Sequence, residues 1–179
     1  MASDGHSLLG LWIEGQKNFG TALLDGATEM PELGLFKETR KWIYDYFAGK
    51  RPSAQNIPLS PEGNDFKKAV WSVISEIPYG KTETYAEVAK KVGRLTGKSK
   101  MPAQAVAAAI GHNPIMLLIP CHRVLGSDGS HTGYSAGVDK KALLLRLEGA
   151  KRIFQADENN KSDTERILTL SGTKLEFTV

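Results

Sequence analysis

Three segments in the middle of the chain carry apolar residues at helical spacing, one after another, with short polar turns between them. They run from about residue 65 to 76, from about 82 to 93, and from 102 to 111. A period of 3.6 residues predicts an amphipathic helix, and connections this short keep successive helices in contact. The middle of the chain is therefore expected to form a helical unit with a core of its own.

The turns between these helices carry separate signals. The stretch "IPYGK" contains a Pro-Tyr-Gly turn that ends the first helix, and Thr82 or Thr84 can cap the second. The basic loop "RLTGKSK" leads to Pro102, which can open the third helix. Two short helices joined by such a turn predict a helix-turn-helix.

The third helix, "PAQAVAAAIG", is rich in alanine. Its thin profile would let the backbone approach a narrow surface such as a DNA minor groove, although close packing against a neighbouring helix explains the same composition. The sequence leaves both interpretations open. The alanines concerned are Ala103, Ala105, Ala107, Ala108 and Ala109.

Charge is concentrated in this central part of the chain. Residues 79–151 hold eleven lysines and arginines against five aspartates and glutamates, a net charge of +6 where the whole chain carries +3. A basic surface of this kind fits a polyanion, and a solvated face is the plainer alternative. Arg94, Lys98 and Lys100 are the candidate phosphate contacts.

The N-terminal part mixes strand and helix patterns, so we expect an α+β protein. Leu9, Leu11 and Ile13 alternate as on a half-buried strand, and residues 32–49 repeat apolar side chains at helical spacing before Gly49. With 179 residues the chain is long enough for one medium or two small domains. The predicted divisions are 1–60, 61–152 and a C-terminal tail of unknown role, 153–179.

Several classes of protein are disfavoured by what the sequence lacks. No apolar run approaches the roughly 20 residues of a membrane span, and the first residues do not resemble a secretory signal. A single cysteine cannot form an internal disulfide, so a reducing cytoplasmic (or nuclear) location is expected. No Cys-x-x-Cys or His-x-x-x-His spacing indicates a metal site, and we predict none.

The single cysteine, Cys121, follows the apolar run "PIMLLIP" and precedes His122. A cysteine attacks as the thiolate, so a free thiol with a pKa of about 8.5 needs a base. Direct contact with His122 requires the backbone to turn, and a water bridge is easier. Glu148, on a predicted helix, could fix the imidazole tautomer as in nucleophile–His–acid triads. An inert buried cysteine is the alternative.

The stretch "NPIMLLIPCHRV", with "GYSAG" and "LLLRLEG" downstream, closely resembles the O6-alkylguanine-DNA alkyltransferases, also called methylated-DNA–protein-cysteine methyltransferases. The spacings agree, because Asn113 lies eight residues before the cysteine, Tyr134 and Ser135 thirteen and fourteen after it, and Glu148 twenty-seven after it. The segment "FKKAVWSVISEIPYGKTETYAEVA" also resembles the family. The resemblance is strong over about residues 64–150 and weak before them.

The resemblance implies a role for each catalytic position. Cys121 would accept the alkyl group irreversibly from O6 of guanine in DNA, in a single turnover. His122 would take the thiol proton through water, and Glu148 would hold the imidazole. Tyr85 would protonate the leaving guanine at N3. Asn113 would tie the recognition helix to the active-site turn.

The resemblance also implies a substrate pocket and a partner. Tyr134 would wall the pocket and Ser135 would hydrogen-bond near O6. Pro120 and Val124 would complete the floor, and Arg123, grouped with them, would pair to stabilise the loop. The partner would be double-stranded DNA bearing O6-alkylguanine, bound by a monomer through the minor groove without sequence preference and without a cofactor. The implied fold is a small ribonuclease-H-like N-terminal domain followed by a winged-helix-like domain.

Three departures from the family pattern stand out. Gln104 occupies the position where many members carry an intercalating arginine; it is shorter and uncharged but can still hydrogen-bond an orphaned base. The family's first N-terminal strand looks missing, and the tail after Arg152 has no counterpart, so the tail could add a strand to the depleted sheet. Two other functions compete: recognition of the lesion without repair, although such relatives lack the cysteine, and cysteine hydrolase or acyltransferase activity.

Overall fold

The computed structural model describes residues 1–17, 20, 26–98, 101–131 and 133–150. Within them the protein is a mixed α/β fold of five α-helices and two small sheets. The helices are α1 (Gly34–Phe47), α2 (Asp65–Ser75), α3 (Tyr85–Leu95), α4 (Ala103–Gly111) and α5 (Val138–Leu147). The strands are β1 (Ala2–Ser3), β2 (Leu8–Gly10), β3 (Glu83–Thr84) and β4 (Val124–Leu125), and a 3-10 turn covers Cys121–Arg123.

Two of the three central helices, α2 and α3, begin where a side chain satisfies a free amide group of the first turn. Asn64 caps α2 by accepting a hydrogen bond from the backbone of Lys67 at 2.9 Å. Of the two threonines that could cap the next helix, Thr84 does so, and it forms a capping box with Glu87. At the end of α1, Gly49 takes a φ of +74°, a left-handed conformation that glycine adopts without strain.

Helices α2, α3 and α4 pack together around one apolar core, as their sequence patterns predict. Trp71 of α2 is buried, and its indole nitrogen donates to the carbonyl of Ala109 in α4 at 2.9 Å. This bond anchors α4 by its inner face. The other buried core residues of these helices are Val70, Val73, Ile74, Val88, Ala89, Val92, Val106 and Ile110.

The N-terminal strand differs from its prediction. Strand β2 stops at Gly10, and its buried residues are Leu8 and Gly10, whereas Leu9 and Ile13 are only half-buried. The ring of Trp12 folds back over Gly10, where a Cβ atom would overlap it. Leu11, the remaining member of the predicted alternation, is buried and pairs with Ile115 instead.

A short strand precedes β2, although the family's Ser-Pro-x-Gly motif is absent from that region. Strand β1, two residues long, pairs with β2 in antiparallel fashion, with Ala2 opposite Gly10. The two-residue length and the lack of a Ser-Pro-x-Gly motif explain why the sequence did not reveal it. The proposed strand from the tail lies outside the described residues.

The N-terminal part packs directly onto the cysteine-containing part. Leu11 donates its amide to the carbonyl of Pro114 at 2.9 Å and accepts from the amide of Met116 at 2.8 Å. The amide of Lys17 donates to the carbonyl of Ser135 at 3.0 Å. These bonds fix the segments on both sides of the 3-10 turn. Across the described residues, no helix combines the length and apolar character that a membrane span requires.

Candidate active site

Cys121 lies at the start of the 3-10 turn and is only 4% exposed. Its sulfur accepts a hydrogen bond from the side-chain amide of Asn113 at 3.1 Å and lies 3.7 Å from the sulfur of Met116. Burial raises the pKa of the thiol to about 11, although the Asn113 hydrogen bond and the charge of Lys141 favour the thiolate. The resting thiol is therefore protonated at neutral pH and needs a base.

Asn113 connects the end of α4 to the turn that carries the cysteine. Besides the sulfur, its amide nitrogen reaches the carbonyl of Ile119 at 2.8 Å, and its oxygen accepts from the backbone of Ile115 at 2.9 Å. One buried side chain thus holds both ends of the apolar run and the nucleophile. The catalytic role that the resemblance implies for Asn113 stays a prediction.

His122 is fully buried, and the 3-10 turn directs its ring toward Glu148 rather than along the chain. Its Nε2 lies 2.8 Å from Oε1 of Glu148, which assigns the proton of the neutral ring to Nε2. Within the described part of the chain, Nδ1 is buried without a hydrogen-bond partner and no hydrogen bond joins the ring to the sulfur of Cys121. Burial lowers the pKa of His122 despite the neighbouring carboxylate, so the ring is a neutral base.

Glu148, at the C-terminal end of α5, accepts hydrogen bonds from four other residues. Oε1 accepts from the hydroxyl of Tyr46 at 2.7 Å and from Arg123 at 2.9 Å, in addition to His122. Oε2 accepts from Nε of Arg123 at 2.9 Å and from the amide of Gly80 at 3.0 Å. Burial alone would raise the pKa of Glu148, but the hydrogen bonds and charges of His122 and Arg123 lower it. The group is a carboxylate at neutral pH.

Arg123 is not at a substrate-binding surface, which corrects its grouping with the pocket residues. Its side chain is 11% exposed, and its guanidinium binds Glu148 through two nitrogens and the carbonyl of Ile77 through the third, at 2.6 Å. A planar donor of this kind suits a buried carboxylate. The second half of the expectation, that Arg123 pairs to hold the loop, agrees with this geometry.

Tyr85 begins α3 beside the cysteine because strand β3 pairs with β4 in parallel, with Glu83 opposite Val124. Burial and then the charge of Cys121 raise the pKa of Tyr85. Its hydroxyl lies close to Gly133, where a Cβ atom would come within 2.7 Å of it. Any larger residue at Gly133 would therefore displace the hydroxyl from this position.

Lys141 of α5 is fully buried beneath the same region. Its Nζ donates to the carbonyl of Val124 at 2.6 Å and lies 5.9 Å from the ring centroid of Tyr85. Burial lowers the pKa of Lys141 to about 8. A cation in this place favours the thiolate of Cys121.

The four predicted pocket residues are buried or half-buried. Tyr134 is buried, and among the described residues its hydroxyl has no hydrogen-bond partner. The hydroxyl of Ser135 lies 3.9 Å from the sulfur of Met116, which in turn contacts Cys121. Pro120 and Val124 are buried on either side of the turn.

The described part of the basic loop and the outer face of α4 are exposed. Lys90, Arg94 and Lys98 line an open groove between α3 and α4. Gln104 is exposed in the first turn of α4, whereas Ala105 is half-buried. Lys100 lies outside the described residues. Ala103 and Ala108 are exposed while Ala109 packs inward, so the alanines serve both a thin outer face and a close inner contact.

Three residues at the site were not found by sequence reasoning. Tyr46 lies in the apolar pattern of α1, so nothing distinguishes it from a core aromatic residue. Met116 is likewise one member of an apolar run. Lys141 had a signal, because it falls three and four positions before Leu144 and Leu145, on the buried side of α5. Across the described residues, no cluster of three histidine, cysteine or acidic side chains could hold a metal ion.

Comparisons with known proteins found a matching family model and similar relatives. Residues 65–150 match the family model described as the DNA binding domain of 6-O-methylguanine DNA methyltransferase. A methylated-DNA–protein-cysteine methyltransferase of Methanosarcina acetivorans is 44% identical over 116 residues, covering 65% of this chain and 70% of its own. The enzyme of the same name from Haemophilus influenzae is 40% identical over 130 residues, covering 73% and 70%.

A solved structure is also similar over most of its length. The crystal structure of Mycobacterium tuberculosis OGT in complex with DNA superposes with a TM-score of 0.70 at 34% sequence identity, covering 85% of this chain and 88% of that one. The sequence matches on both sides of the cysteine and the shared fold lead to one conclusion. The chain belongs to the methylated-DNA–protein-cysteine methyltransferase family.

Proposed function

We propose that this protein repairs DNA by direct reversal, with Cys121 accepting the alkyl group from O6 of a guanine. The observation that carries the proposal is the pairing of a buried, hydrogen-bonded thiol with a neighbouring buried histidine that a carboxylate holds. Asn113 holds the sulfur, and the neighbouring His122 is neutral and held by Glu148 at 2.8 Å. A protonated nucleophile next to a neutral buried base is the arrangement that activation on demand requires.

The transfer can be written with its atoms in balance. Nδ1 of His122 takes the thiol proton through a water molecule, and the sulfur then forms a bond to the alkyl carbon. The bond from that carbon to O6 breaks, and its electron pair stays with the guanine. Tyr85 gives a proton to N3 of the leaving guanine and recovers one from the imidazolium through solvent. The product thioether has no route back to the thiol, so each molecule reacts once.

The DNA surface follows from where the lesion lies. An alkyl group on O6 faces the base-pair edge, so the nucleotide must be extruded before a buried sulfur can reach it. The thin outer face of α4 suits the minor groove, and Gln104, exposed in its first turn, would fill the vacated stack. Arg94 and Lys98 would contact phosphates, as would Lys100. Contacts to the backbone carry no sequence information, so binding would not depend on sequence.

The finer description of the fold is part of the same proposal. Residues 1–60 would form a ribonuclease-H-like domain, residues 61–152 a winged-helix-like domain, and the protein would act as a monomer. The hairpin of β1 and β2 with α1 supports the first unit, and the β3–β4 pair beside α3 and α4 supports the second.

The proposal is tested with O6-benzylguanine that carries a fluorophore on the benzyl group. We expect one label per protein molecule, located on Cys121, and no label on a Cys121→Ser variant. Binding of alkylated duplex without any label on the protein would instead indicate lesion recognition. Repeated turnover of an ester by the wild-type protein, without a stable adduct, would indicate a cysteine hydrolase. Either of these outcomes overturns direct reversal.

A further inference from the structure

We propose that Tyr46, in the N-terminal helix α1, is a positioning residue for alkyl transfer that acts by holding the Glu148 carboxylate on the His122 imidazole. The inference rests on the proposed function of Cys121. It assigns to the N-terminal part of the chain a share in the chemistry, because α1 lies outside residues 65–150, the segment that matches the DNA-binding family model.

The contact is direct and sealed from solvent. Tyr46 is 1% exposed, and its hydroxyl donates to Oε1 of Glu148 at 2.7 Å. The same hydroxyl lies 3.5 Å from Nε2 of His122. Burial, followed by the charge of Glu148, raises the pKa of Tyr46 far above its ordinary value, so the phenol only ever donates to this carboxylate.

The ring of Tyr46 has little freedom to move. It stacks on Trp42 with centroids 5.2 Å apart and packs edge-on against Phe47 at 5.3 Å and Tyr79 at 5.9 Å. Tyr79 itself donates a hydrogen bond to the carbonyl of Leu147, the residue before Glu148. The aromatic cluster therefore fixes where the hydroxyl stands relative to the carboxylate.

The role of Tyr46 follows from the hydrogen bonds that Oε1 of Glu148 accepts. Three donors meet at this oxygen: Tyr46, Arg123 and His122. A fixed neutral donor keeps the oxygen in line with Nε2 and so keeps the proton of the ring on Nε2 and the lone pair on Nδ1.

The groups that act on His122 come from several elements. Glu148 at the end of α5 favours the imidazolium, while Arg123 of the 3-10 turn and Lys141 of α5 disfavour it by their charge. Tyr46 from α1 is neutral, and Cys121 is protonated at rest because burial raises its thiol pKa to about 11. The Tyr46→Phe change deletes none of these other groups.

The test is Tyr46→Phe, which keeps the ring and removes the hydroxyl, with Tyr44→Phe as the matched control. Tyr44 lies on the same helix but is 56% exposed. Two quantities are measured in each variant: the pH dependence of Cys121 alkylation, and the protonation and tautomer of His122 by nitrogen-15 NMR, with His122→Gln used to assign its signal. NMR needs no substrate, so it reports on Tyr46 even if alkyl transfer fails.

We expect the pKa of His122 to fall by about half a unit or more in Tyr46→Phe, because a carboxylate that is no longer held on the imidazole stabilises the imidazolium less. The low-pH decline of the alkylation rate should move to lower pH by the same amount, and the ring should lose its uniform Nε2 tautomer. The Tyr44→Phe variant should match wild type in all three. An unchanged pKa and tautomer in Tyr46→Phe would overturn the inference, even if that variant were less stable. A wild-type protein that takes up no alkyl group, with the NMR shifts as expected, would overturn the proposed function and leave this positioning contact standing.

Discussion

The side-chain amide of Asn113 lies 3.1 Å from the sulfur of Cys121 and 2.8 Å from the carbonyl of Ile119, so the second residue after α4 also holds the nucleophile. In the proposed complex with DNA, α4 faces the minor groove. A displacement of α4 would therefore move Asn113 and change its hydrogen bond to the sulfur. This coupling suggests how DNA binding and thiol reactivity can be linked without a separate mobile element.

Asn113→Ala should slow alkyl transfer to Cys121 by roughly tenfold or more, because the thiolate loses a hydrogen bond. The variant should also be less stable by about 1–3 kcal/mol, since buried backbone groups of Ile115 and Ile119 lose their partner. Single-turnover kinetics and denaturant unfolding measure the two effects. The control is Asn64→Ala, which removes the cap of α2 at a cost of about 1 kcal/mol and should leave the rate unchanged. Equal rates in both variants would argue against the role of Asn113.

His122→Gln should change the shape of the pH–rate profile and not only its height. In the wild type, burial lowers the pKa of His122 below its ordinary value of about 6.5, so the rate should be level through neutral pH and fall only at lower pH. Without a base, the rate should follow the thiolate fraction, rising about tenfold per pH unit toward the thiol pKa of about 11. Free O6-benzylguanine as substrate avoids effects of pH on DNA.

At neutral pH the His122→Gln rate should be lower by roughly two to four orders of magnitude, the usual contribution of a general base. His6→Gln, which changes an exposed loop residue, serves as the control and should retain the level profile. A level profile in His122→Gln would show that the imidazole does not take the thiol proton.

Glu148 should make the fold sensitive to acid. Its pKa is lower in the folded protein than the value of about 4.3 expected in the unfolded chain, so the folded state stabilises the carboxylate. That stability is present above about pH 4.3 and is lost as the pH falls toward the folded-state pKa. Urea unfolding at a series of pH values should show the decline.

Glu148→Gln should be less stable at neutral pH by roughly 3–5 kcal/mol, because the buried guanidinium of Arg123 loses its carboxylate. Its stability should also depend less on pH in the acidic range. Glu62→Gln, at an exposed position, should behave as wild type in both respects. A Glu148→Gln protein with the acid sensitivity of wild type would assign that sensitivity to other carboxylates.

Met116 should limit the size of the alkyl group that is transferred. Its thioether lies 3.7 Å from the sulfur of Cys121 and 3.9 Å from the hydroxyl of Ser135, and so occupies the space beside the reactive atom. Met116→Ala should raise the ratio of benzyl to methyl transfer rates several-fold, because truncation removes volume next to the nucleophile. The ratio is independent of the fraction of folded protein. An unchanged ratio would place the alkyl group on another side of the sulfur.

The groove between α3 and α4 should bind phosphates through its cations. Arg94→Ala and Lys98→Ala should each weaken duplex binding and reduce the slope of log Kd against log salt by about 0.9, the value for one phosphate contact. Lys37→Ala removes an exposed cation of α1 that pairs with Glu32 and should leave the slope as in wild type. Equal slopes in all proteins would exclude these two side chains as phosphate contacts.

The sequence predicted the helices well because each carries a local signal. The periodic apolar residues of α2 and α3, together with the caps at Asn64 and Thr84, determine where these helices begin. The N-terminal strands were predicted less well. The two residues of β1 and the three of β2 are too few for a periodic pattern.

The candidate site was only partly predictable for a related reason. The pairing of His122 with Glu148 follows a known spacing, and the geometry agrees with it. The left-handed backbone at Leu117, with a φ of +68°, helps set the course of the chain before the cysteine and has no glycine or asparagine to announce it. The contact of Tyr46 with Glu148 joins residues 102 positions apart, so only the packed fold brings them together.

The most direct measurement is peptide mass spectrometry after the protein is mixed with duplex DNA that contains one O6-methylguanine. We predict that the peptide containing Cys121 gains the mass of one CH₂ unit, in proportion to the lesion added, while the DNA recovers guanine. An unmodified cysteine with the methyl group still on the DNA would contradict the account.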